Sequence, residues 1–482
     1  MGRAEPTPWT RLEPWAALLA LLGCALKLAR GIGPDPFFNS DCAVPLLLMR
    51  GLGDGPFTLF YPRQDRYGMW PFLVARWLHL GTPEAFHVLS VLALCSAAIP
   101  LWRLLGSPAL AVVTLLAPVA LGRLVAWNTF QAGQPYLWQV VTLCWAWWAC
   151  RGALGASTRR ARLLAALGLL VAAALSAWIS VVSLLALLGL LVLEAVRARA
   201  GPPRGAGAFS ALGLATLFEA QLHRLYNAFC KRRFGERFIT VMHLDRGNLG
   251  SNLGAVAAVA WREGVVIPLL LGTALLPLPG WTRSRRIDQL VFLWLATCCL
   301  PVFVVVDHFR ENFFAGRYFS FPAYWAFAAA AHGGLVLLAA LAGALGPGVR
   351  CLALALLVLV MPTSPRDPLA ERRAAAQALV GPEPRLLLGD YWDVYVPAAL
   401  APSGALVPLP KEGDLNRFPL VQDALRPGRI VLLACALDGP AGTARQHGAL
   451  LRRTAAPALP GENMSWCPHT VETPARPIGP SR

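Results

Sequence analysis

The chain has 482 residues, of which 56% are hydrophobic and only 14% are charged. Soluble domains carry roughly 25% charged residues, so this composition excludes an ordinary soluble protein. The net charge of +17 raises nucleic acid as a partner, but most of the arginines adjoin apolar runs. That placement is typical of membrane topology signals and lipid-headgroup contacts. We therefore expect a multi-pass membrane protein with no nucleic-acid partner.

The apolar runs predict about eleven transmembrane helices, each near the ~20 residues that span a bilayer. The first run is read as a retained signal anchor, because no small-residue cleavage site follows it. A continuous apolar run at 162–196 is too long for one helix, so we predict a tight hairpin near residue 177. The predicted spans are 15–31, 86–104, 108–126, 136–150, 162–178, 180–196, 206–225, 263–281, 287–306, 319–342 and 349–362.

The arginine clusters predict the orientation of the chain. Clusters at 151–162, 197–204 and 283–286 fall on the cytoplasmic side if the N-terminus is cytoplasmic. The polar segments 32–85, 226–262 and 307–318 then lie outside, as does everything after Met361. A cationic group at the end of the 206–225 span disagrees with the rule, and it includes Arg232 and Arg233. It is either a solvated face or a site for a lipid phosphate.

Residues 363–482 differ in composition from residues 1–362 and predict a second, extracytoplasmic domain. Proline, glycine and charged residues become frequent, and short apolar runs at 385–389 and 429–434 are bounded by turn residues. This pattern predicts a small α/β or α+β domain, with a partly disordered tail over roughly the last 25 residues. Cys435 and Cys467 both lie in it and could form a disulfide in an oxidising compartment.

The first outside segment concentrates acids and aromatic residues. Asp41 precedes an amphipathic run at 42–50, which we expect to lie flat at the interface with Asp41 at or near its N-cap. A helix N-terminus stabilises an ionised carboxylate, which suits a general base; the plainer reading is a capping residue. Further along, Asp65, Arg66 and Tyr67 suit sugar hydroxyls and a sugar ring, and equally suit a packed loop.

Other polar residues lie in or beside the predicted helices. Glu219 is an intramembrane acid with His223 nearby, and such an acid is a functional candidate by default. The 307–318 segment begins with Asp307 and ends with Arg317 and Tyr318 at the expected outer boundary. There, Arg317 either snorkels towards water or pairs with a phosphate. The sequence contains no P-loop, no His-Glu-x-x-His helix and no Gly-x-Ser-x-Gly elbow.

Three features together match a known layout. An acid, Asp41, lies early in the first outside segment; an Arg-Tyr-x-x-x-Pro pattern begins at Arg317 and opens a late helix; and the C-terminal part carries an aromatic and acidic stretch at 390–395. In these features the chain resembles the GT-C superfamily, polytopic glycosyltransferases that use lipid-phosphate-linked sugars, among them protein mannosyltransferases and the lipid A aminoarabinose transferase. Many relatives have two adjacent acids in this segment, whereas here Asp41 is followed by Cys42.

The resemblance implies an inverting transfer of a sugar from a polyprenyl-phosphate donor to a lipid, glycan or protein acceptor. It implies Asp41 as general base or metal ligand, with Asp65 as second choice and a divalent cation as a candidate cofactor. Arg317, Arg232 and Arg233 would hold the phosphate. The other residues that we predict to bind the substrate are Arg66, Tyr67, Glu219, His223, Asp307 and Tyr318. The expected location is the outer face of a bacterial inner membrane. Two alternatives remain open, a transporter or flippase of lipid-linked glycans and a non-catalytic envelope scaffold.

Overall fold

The chain is described by a computed structural model. It covers residues 8–31, 39–52, 58–62, 67–134, 136–199, 202–235, 237, 243–277, 281–312, 315–363, 369–414, 425–438, 442–447, 449–461 and 464–473. Within these ranges the N-terminal part is helical as far as Val360, and a sheet with two helices follows. The predicted order of a helical membrane part followed by a small sheet is confirmed.

The helices of the first part begin at signals that the sequence encodes. Four helices begin at an N-cap whose hydroxyl accepts a hydrogen bond from a backbone N–H in the first turn. These N-caps are Thr82, Ser107, Thr158 and Thr282. The helices are α1 (Pro8–Gly31), α2 (Ser40–Leu47), α3 (Trp70–Trp77), α4 (Pro83–Ser96), α5 (Ala98–Leu105), α6 (Pro108–Leu121), α7 (Arg123–Phe130), α8 (Tyr136–Gly155), α9 (Arg159–Ile179), α10 (Ser183–Ala198), α11 (Pro202–Phe234), α12 (Leu249–Arg262), α13 (Val266–Ala274), α14 (Arg283–Thr297), α15 (Leu300–Val305), α16 (Asp307–Glu311), α17 (Ser320–Leu341) and α18 (Gly346–Val360).

Six helical segments in the described residues are long and apolar enough to cross a membrane, so the protein is a multi-pass membrane protein. The predicted count of eleven is not confirmed. At 1.5 Å per residue, α6 with 14 residues and α10 with 16 fall short of a ~30 Å hydrocarbon core. The six segments are Pro8–Arg30, Pro83–Leu105, Arg159–Ile179, Arg283–Val305, Gly316–Leu341 and Gly343–Val360.

Two predicted helix boundaries can be compared directly with the structure. The hairpin expected near residue 177 lies at 180–182, between α9 and α10. In place of the single helix expected at 263–281, the structure has the short helix α13, which follows α12 at an angle of 85°. Gly264, with φ of +73°, ends α12 in a left-handed conformation that favours glycine and redirects the chain.

A partly buried ion-pair network joins one end of α8, α10 and α14. Arg151 and Arg197 each approach Oδ1 of Asp288 at 2.6 Å, and they contact the carboxylate of Glu194 at 3.0 and 3.1 Å. By sequence, both arginines are topology signals only, whereas the structure gives them carboxylate partners. Their meeting at one end of the bundle agrees with the prediction that these three segments share a side of the membrane.

The C-terminal part is a mixed seven-stranded sheet with α19 (Ala370–Ala378) and α20 (Tyr391–Leu400). The strand order is β2-β1-β3-β7-β5-β4, with β6 added beside β7; β1 pairs in parallel with β2 and β3, and the other pairings are antiparallel. The predicted strands at 385–389 and 429–434 are β1 and β3. The strands are β1 (Arg385–Gly389), β2 (Leu406–Pro410), β3 (Ile430–Ala434), β4 (Thr443–Gln446), β5 (Ala449–Arg453), β6 (Leu459–Pro460) and β7 (Ser465–Thr473).

A disulfide links the end of β3 to β7. Cys435 and Cys467 have Cα atoms 5.1 Å apart, within the usual range for such a bond. The predicted pairing is therefore present.

The sheet region packs directly onto the helical part through α2 and α20. Ser40 Oγ donates to the carbonyl of Tyr391 at 2.8 Å, and Arg50 Nη1 donates to the carbonyl of Ala401 at 2.9 Å. The 42–50 run, which could lie flat at the membrane interface by its sequence, is covered by protein in the structure. Cys42 to Met49 are all buried, because α20 covers the apolar face that we assigned to lipid.

Candidate functional site

Asp41 lies in the first turn of α2, as its sequence position predicted. The N-cap itself is Asn39, whose side-chain oxygen accepts from the backbone N–H of Cys42 at 3.2 Å. The capping role left open for Asp41 is therefore filled by its neighbour. This leaves the Asp41 carboxylate to contact other elements.

Three side chains from distant segments meet at the Asp41 carboxylate. The hydroxyls of Tyr391 and Tyr61 donate to Oδ1, at 2.8 and 3.2 Å. On the other side, Nη1 of Arg317 lies 3.6 Å from Oδ2, which makes an ion pair. The Asp41 side chain is 18% exposed. The carboxylate is therefore held by charge and by hydrogen bonds, and one edge remains open to a ligand.

Gly133 permits the loop before α8 to lie against the backbone of Asp41. A Cβ at Gly133 would lie 2.8 Å from both the carbonyl carbon and the carbonyl oxygen of Asp41. Only a residue without a side chain fits at that distance. The loop between α7 and α8 is thus part of the wall that holds the carboxylate.

Arg317 lies in a short 3-10 turn, Gly316–Phe319, that leads into α17. Its guanidinium carbon lies 5.5 Å from the centre of the Tyr318 ring, a cation–π contact. The Nε of Arg317 is buried, and no hydrogen-bond partner for it exists among the described residues. A guanidinium presents five N–H donors in a planar fork, so Arg317 can pair with Asp41 and still bind an oxyanion.

A half-open cavity lies beside this cluster, since its lining residue Tyr318 also contacts Arg317. Tyr67 and Tyr318, both predicted site residues, line it together with His308, which the sequence analysis did not select. Most of the remaining wall is apolar or aromatic, formed by Tyr136, Val181, Val182, Phe303, Phe309 and Phe321. Such a wall suits an isoprenoid or acyl chain better than a free sugar. Tyr136 begins α8, so the cavity lies about 22 Å along that helix from Arg151 and the ion-pair network.

Glu219 and His223 form a pair of their own in α11, four residues apart. The His223 ring packs on Phe60, with ring centres 4.6 Å apart, and Phe60 precedes the Tyr61 that contacts Asp41. Phe60 thus connects the pair to the segment that carries Tyr61. Their predicted role in substrate binding remains a prediction.

The other predicted residues are not brought to Asp41 by any contact described. The Asp307 carboxylate accepts a hydrogen bond from the backbone N–H of His243 at 3.0 Å. This bond joins the loop before α12 to the start of α16. Arg232 and Arg233 are exposed in the last turn of α11. Asp65 and Arg66 lie outside the described residues. The catalytic role predicted for Asp65 and the substrate-binding roles predicted for Asp307, Arg66, Arg232 and Arg233 therefore stay predictions.

The residues present at Asp41 do not favour a divalent cation. Two phenol donors occupy Oδ1 and a guanidinium faces Oδ2, so a cation there would meet a positive charge. In the part of the chain that the structure covers, no group of three or more His, Cys, Asp or Glu side chains is arranged to hold a metal.

Two of the contacts at Asp41 had little or no signal in the sequence. Tyr391 was noted only for the family resemblance of its segment, and Gly133 was not singled out at all. Tyr391 lies 350 positions from Asp41, so no local pattern connects them. The sequence around Tyr391, a stretch of aromatic and acidic residues, marked the segment as a candidate. It did not indicate that Tyr391 would contact Asp41.

Comparison with known proteins places the fold. No protein-family model matches the chain, and no curated protein matches it. Among solved structures, ArnT from Cupriavidus metallidurans in the apo state is similar with a TM-score of 0.50 and 13% identity, covering 96% of this chain and 98% of ArnT. The chain therefore has a GT-C-like fold, which confirms the predicted resemblance at the level of architecture.

Two further structures were found with lower scores. The Archaeoglobus fulgidus oligosaccharyltransferase, in complex with Zn and sulfate, has a TM-score of 0.42 and 12% identity, covering 88% of this chain and 68% of that protein. ArnT bound to undecaprenyl phosphate has a TM-score of 0.36 and 13% identity, with coverage of 96% and 98%.

Proposed function

We propose that the protein is a membrane glycosyltransferase that moves a sugar from a polyprenyl-phosphate donor to an acceptor at the outer face of a bacterial inner membrane. The observation that carries the proposal is the pairing of Asp41 with Arg317 at 3.6 Å beside a cavity with a mainly apolar wall. A base and a phosphate ligand are the two groups that this reaction needs next to each other. The GT-C-like fold agrees with this chemistry.

The proposed reaction is a single displacement. The Asp41 carboxylate takes the proton of the acceptor hydroxyl through Oδ2, because both phenol donors occupy Oδ1. The acceptor oxygen then forms a bond to the anomeric carbon as the bond from that carbon to the phosphate oxygen breaks. The configuration inverts, since no sugar becomes attached to the enzyme. The polyprenyl phosphate leaves as an anion that pairs with Arg317.

The cavity and the disulfide support the lipid donor and the outer location. The apolar wall that includes Phe303, Phe309 and Phe321 suits the first isoprene units of the donor, with the phosphate towards Arg317. ArnT has been crystallised with undecaprenyl phosphate, a donor carrier of this class. Disulfides persist in oxidising compartments, so Cys435–Cys467 favours an extracytoplasmic sheet region. The sheet region contacts Ser40, just after the membrane-crossing helix α1, so the same placement favours a cytoplasmic N-terminus.

The test is sugar transfer by purified protein in proteoliposomes. Radiolabelled undecaprenyl-phosphate sugars (glucose, mannose, galactose and aminoarabinose) serve as donors, with an envelope lipid and glycan extract as acceptor. Asp41→Asn should lower kcat by roughly 10²- to 10⁴-fold, the usual contribution of a general base. Glu472→Gln is the matched control, since Glu472 lies on β7, far from Asp41 in the fold, and forms a partly exposed ion pair with Arg452 of β5.

The outcomes separate the readings of this chain. Full transfer by Asp41→Asn, with Glu472→Gln also active, would refute the catalytic assignment. Movement of intact labelled donor between leaflets, without cleavage and without dependence on Asp41, would identify a flippase instead.

A further inference from the structure

Tyr391 is the residue through which the sheet region reaches the candidate catalytic carboxylate. Its hydroxyl donates to Asp41 Oδ1 at 2.8 Å, a shorter contact than the 3.2 Å one from Tyr61. Its ring is buried and packs edge-on against Trp392 and Tyr395 of the same helix, with ring centres 4.9 and 5.1 Å apart. Since the ring is fixed by packing, helix α20 determines where the hydroxyl lies.

The backbone of Tyr391 is fixed as firmly as its ring. Its N–H donates to Asp414 Oδ2 at 3.0 Å, and its carbonyl accepts from Ser40 Oγ at 2.8 Å. The N–H, the carbonyl and the hydroxyl are thus all engaged, two of them by the first turn of α2. The loop after β2, which contributes Asp414, and the turn that contains Asp41 hold this one residue between them.

This arrangement has a consequence for the orientation of Asp41. A carboxylate torsion is broad and settles according to its hydrogen bonds. Two phenols on Oδ1 fix the plane of the group and direct Oδ2 towards Arg317 and the open side. Without the shorter contact, the carboxylate would be free to turn Oδ2 away from an incoming hydroxyl.

We propose that Tyr391 is a positioning residue for Asp41, so that the sheet region completes the transfer site rather than merely covering it. This inference rests on the proposed function. It assigns the docked C-terminal region a direct part in the reaction, through one hydroxyl.

The test compares Tyr391→Phe with Tyr324→Phe in the transfer assay described above. Each change removes one phenol hydrogen bond; Tyr324 donates to the carbonyl of Leu115 inside the bundle, at 2.6 Å. Tyr391→Phe should lower kcat roughly ten- to hundredfold with an unchanged donor KM, which corresponds to the usual worth of a hydrogen bond to a charged group. Tyr324→Phe should keep wild-type kcat even if its melting temperature falls.

A second measurement tests the contact without the reaction. Hydrogen exchange of the α2 amides, residues 40–47, should be faster in Tyr391→Phe than in the wild type and unchanged in Tyr324→Phe. Unaltered kcat in Tyr391→Phe with an active wild type would overturn the inference alone, as would an equal loss of kcat in Tyr324→Phe. A wild type inactive with every donor would overturn the proposed function, and the inference with it, whatever the exchange shows.

Discussion

The close contact between Gly133 and Asp41 offers a direct test of how tightly the carboxylate is positioned. In Gly133→Ala the new Cβ would lie 2.8 Å from the backbone carbonyl atoms of Asp41 and 3.1 Å from its Cβ, against 3.4–4 Å for ordinary contacts. Gly133 is not among the glycines with positive φ, so alanine strains the contact and not the local backbone. Either the loop or the first turn of α2 must therefore move by roughly half an ångström or more.

A shift of that size should affect catalysis more than folding. A misplacement of about 1 Å costs as much as 10²-fold in rate, so we expect kcat to fall roughly ten- to hundredfold in Gly133→Ala. The overpacking itself should lower stability by about 1–3 kcal/mol. Transfer from the labelled donors gives the first quantity, and thermal unfolding in detergent gives the second.

The matched control is Gly334→Ala in α17, where a Cβ meets nothing within 4 Å. Alanine is the better helix former, so this variant should keep full activity and melt no lower than the wild type. Wild-type kcat in Gly133→Ala, together with an unshifted melting curve, would show that the loop recoils freely. It would then refute the claim that the loop before α8 holds the carboxylate.

Three further changes test other parts of the structure. Arg317→Lys keeps a positive charge but loses the planar fork, so the donor KM should rise about tenfold; an unchanged KM would contradict phosphate binding. Glu194→Ala leaves Arg151 and Arg197 to share one carboxylate, and unfolding in detergent should show a loss of about 3–5 kcal/mol, with a change under 1 kcal/mol contradicting the network. Side-chain hydrogen bonds hold the pKa of Asp245 below its ordinary value of 3.8, and the one from Asn248 contributes most to the shift. Its contribution to loop stability is therefore complete above pH 3.8 and is lost as the pH falls through the lowered pKa, so exchange of the 246–252 amides should accelerate only in strong acid.

The sequence predicted those parts of the fold and site that depend on local patterns. Apolar runs located the helices, and turn residues around 385–389 located a strand to the residue. Asp41 and Arg317 were selected because each is a charged residue at a predicted membrane boundary. The predicted topology put both boundaries on the same side of the membrane, which made a contact between the two residues possible. The distance of 3.6 Å between them could not be predicted.

The sequence did not predict the features that depend on contacts between distant segments. The 42–50 run reads as a surface helix because its apolar face has no local partner; α20, some 350 positions later, supplies one. The count of eleven spans is not confirmed, and hydropathy does not reveal a break such as the one at Gly122, which divides the 108–126 run between α6 and α7. Gly133 carries no pattern at all, since its importance arises from the backbone that it approaches.

The position after Asp41 can now be explained by packing rather than by the resemblance. Cys42 is fully buried in α2, so a carboxylate in its place would lose hydration and lie among apolar neighbours. Asp41, one residue earlier, instead meets two phenols and a guanidinium that come from three other segments. These contacts stabilise the negative charge of the Asp41 carboxylate. In relatives with two adjacent acids, a cation bound by both acids would do so. The presence of a single acid therefore fits a site in which the positive charge beside Asp41 is that of Arg317. Helix α20 stabilises this arrangement through the hydrogen bond from Tyr391 to Asp41.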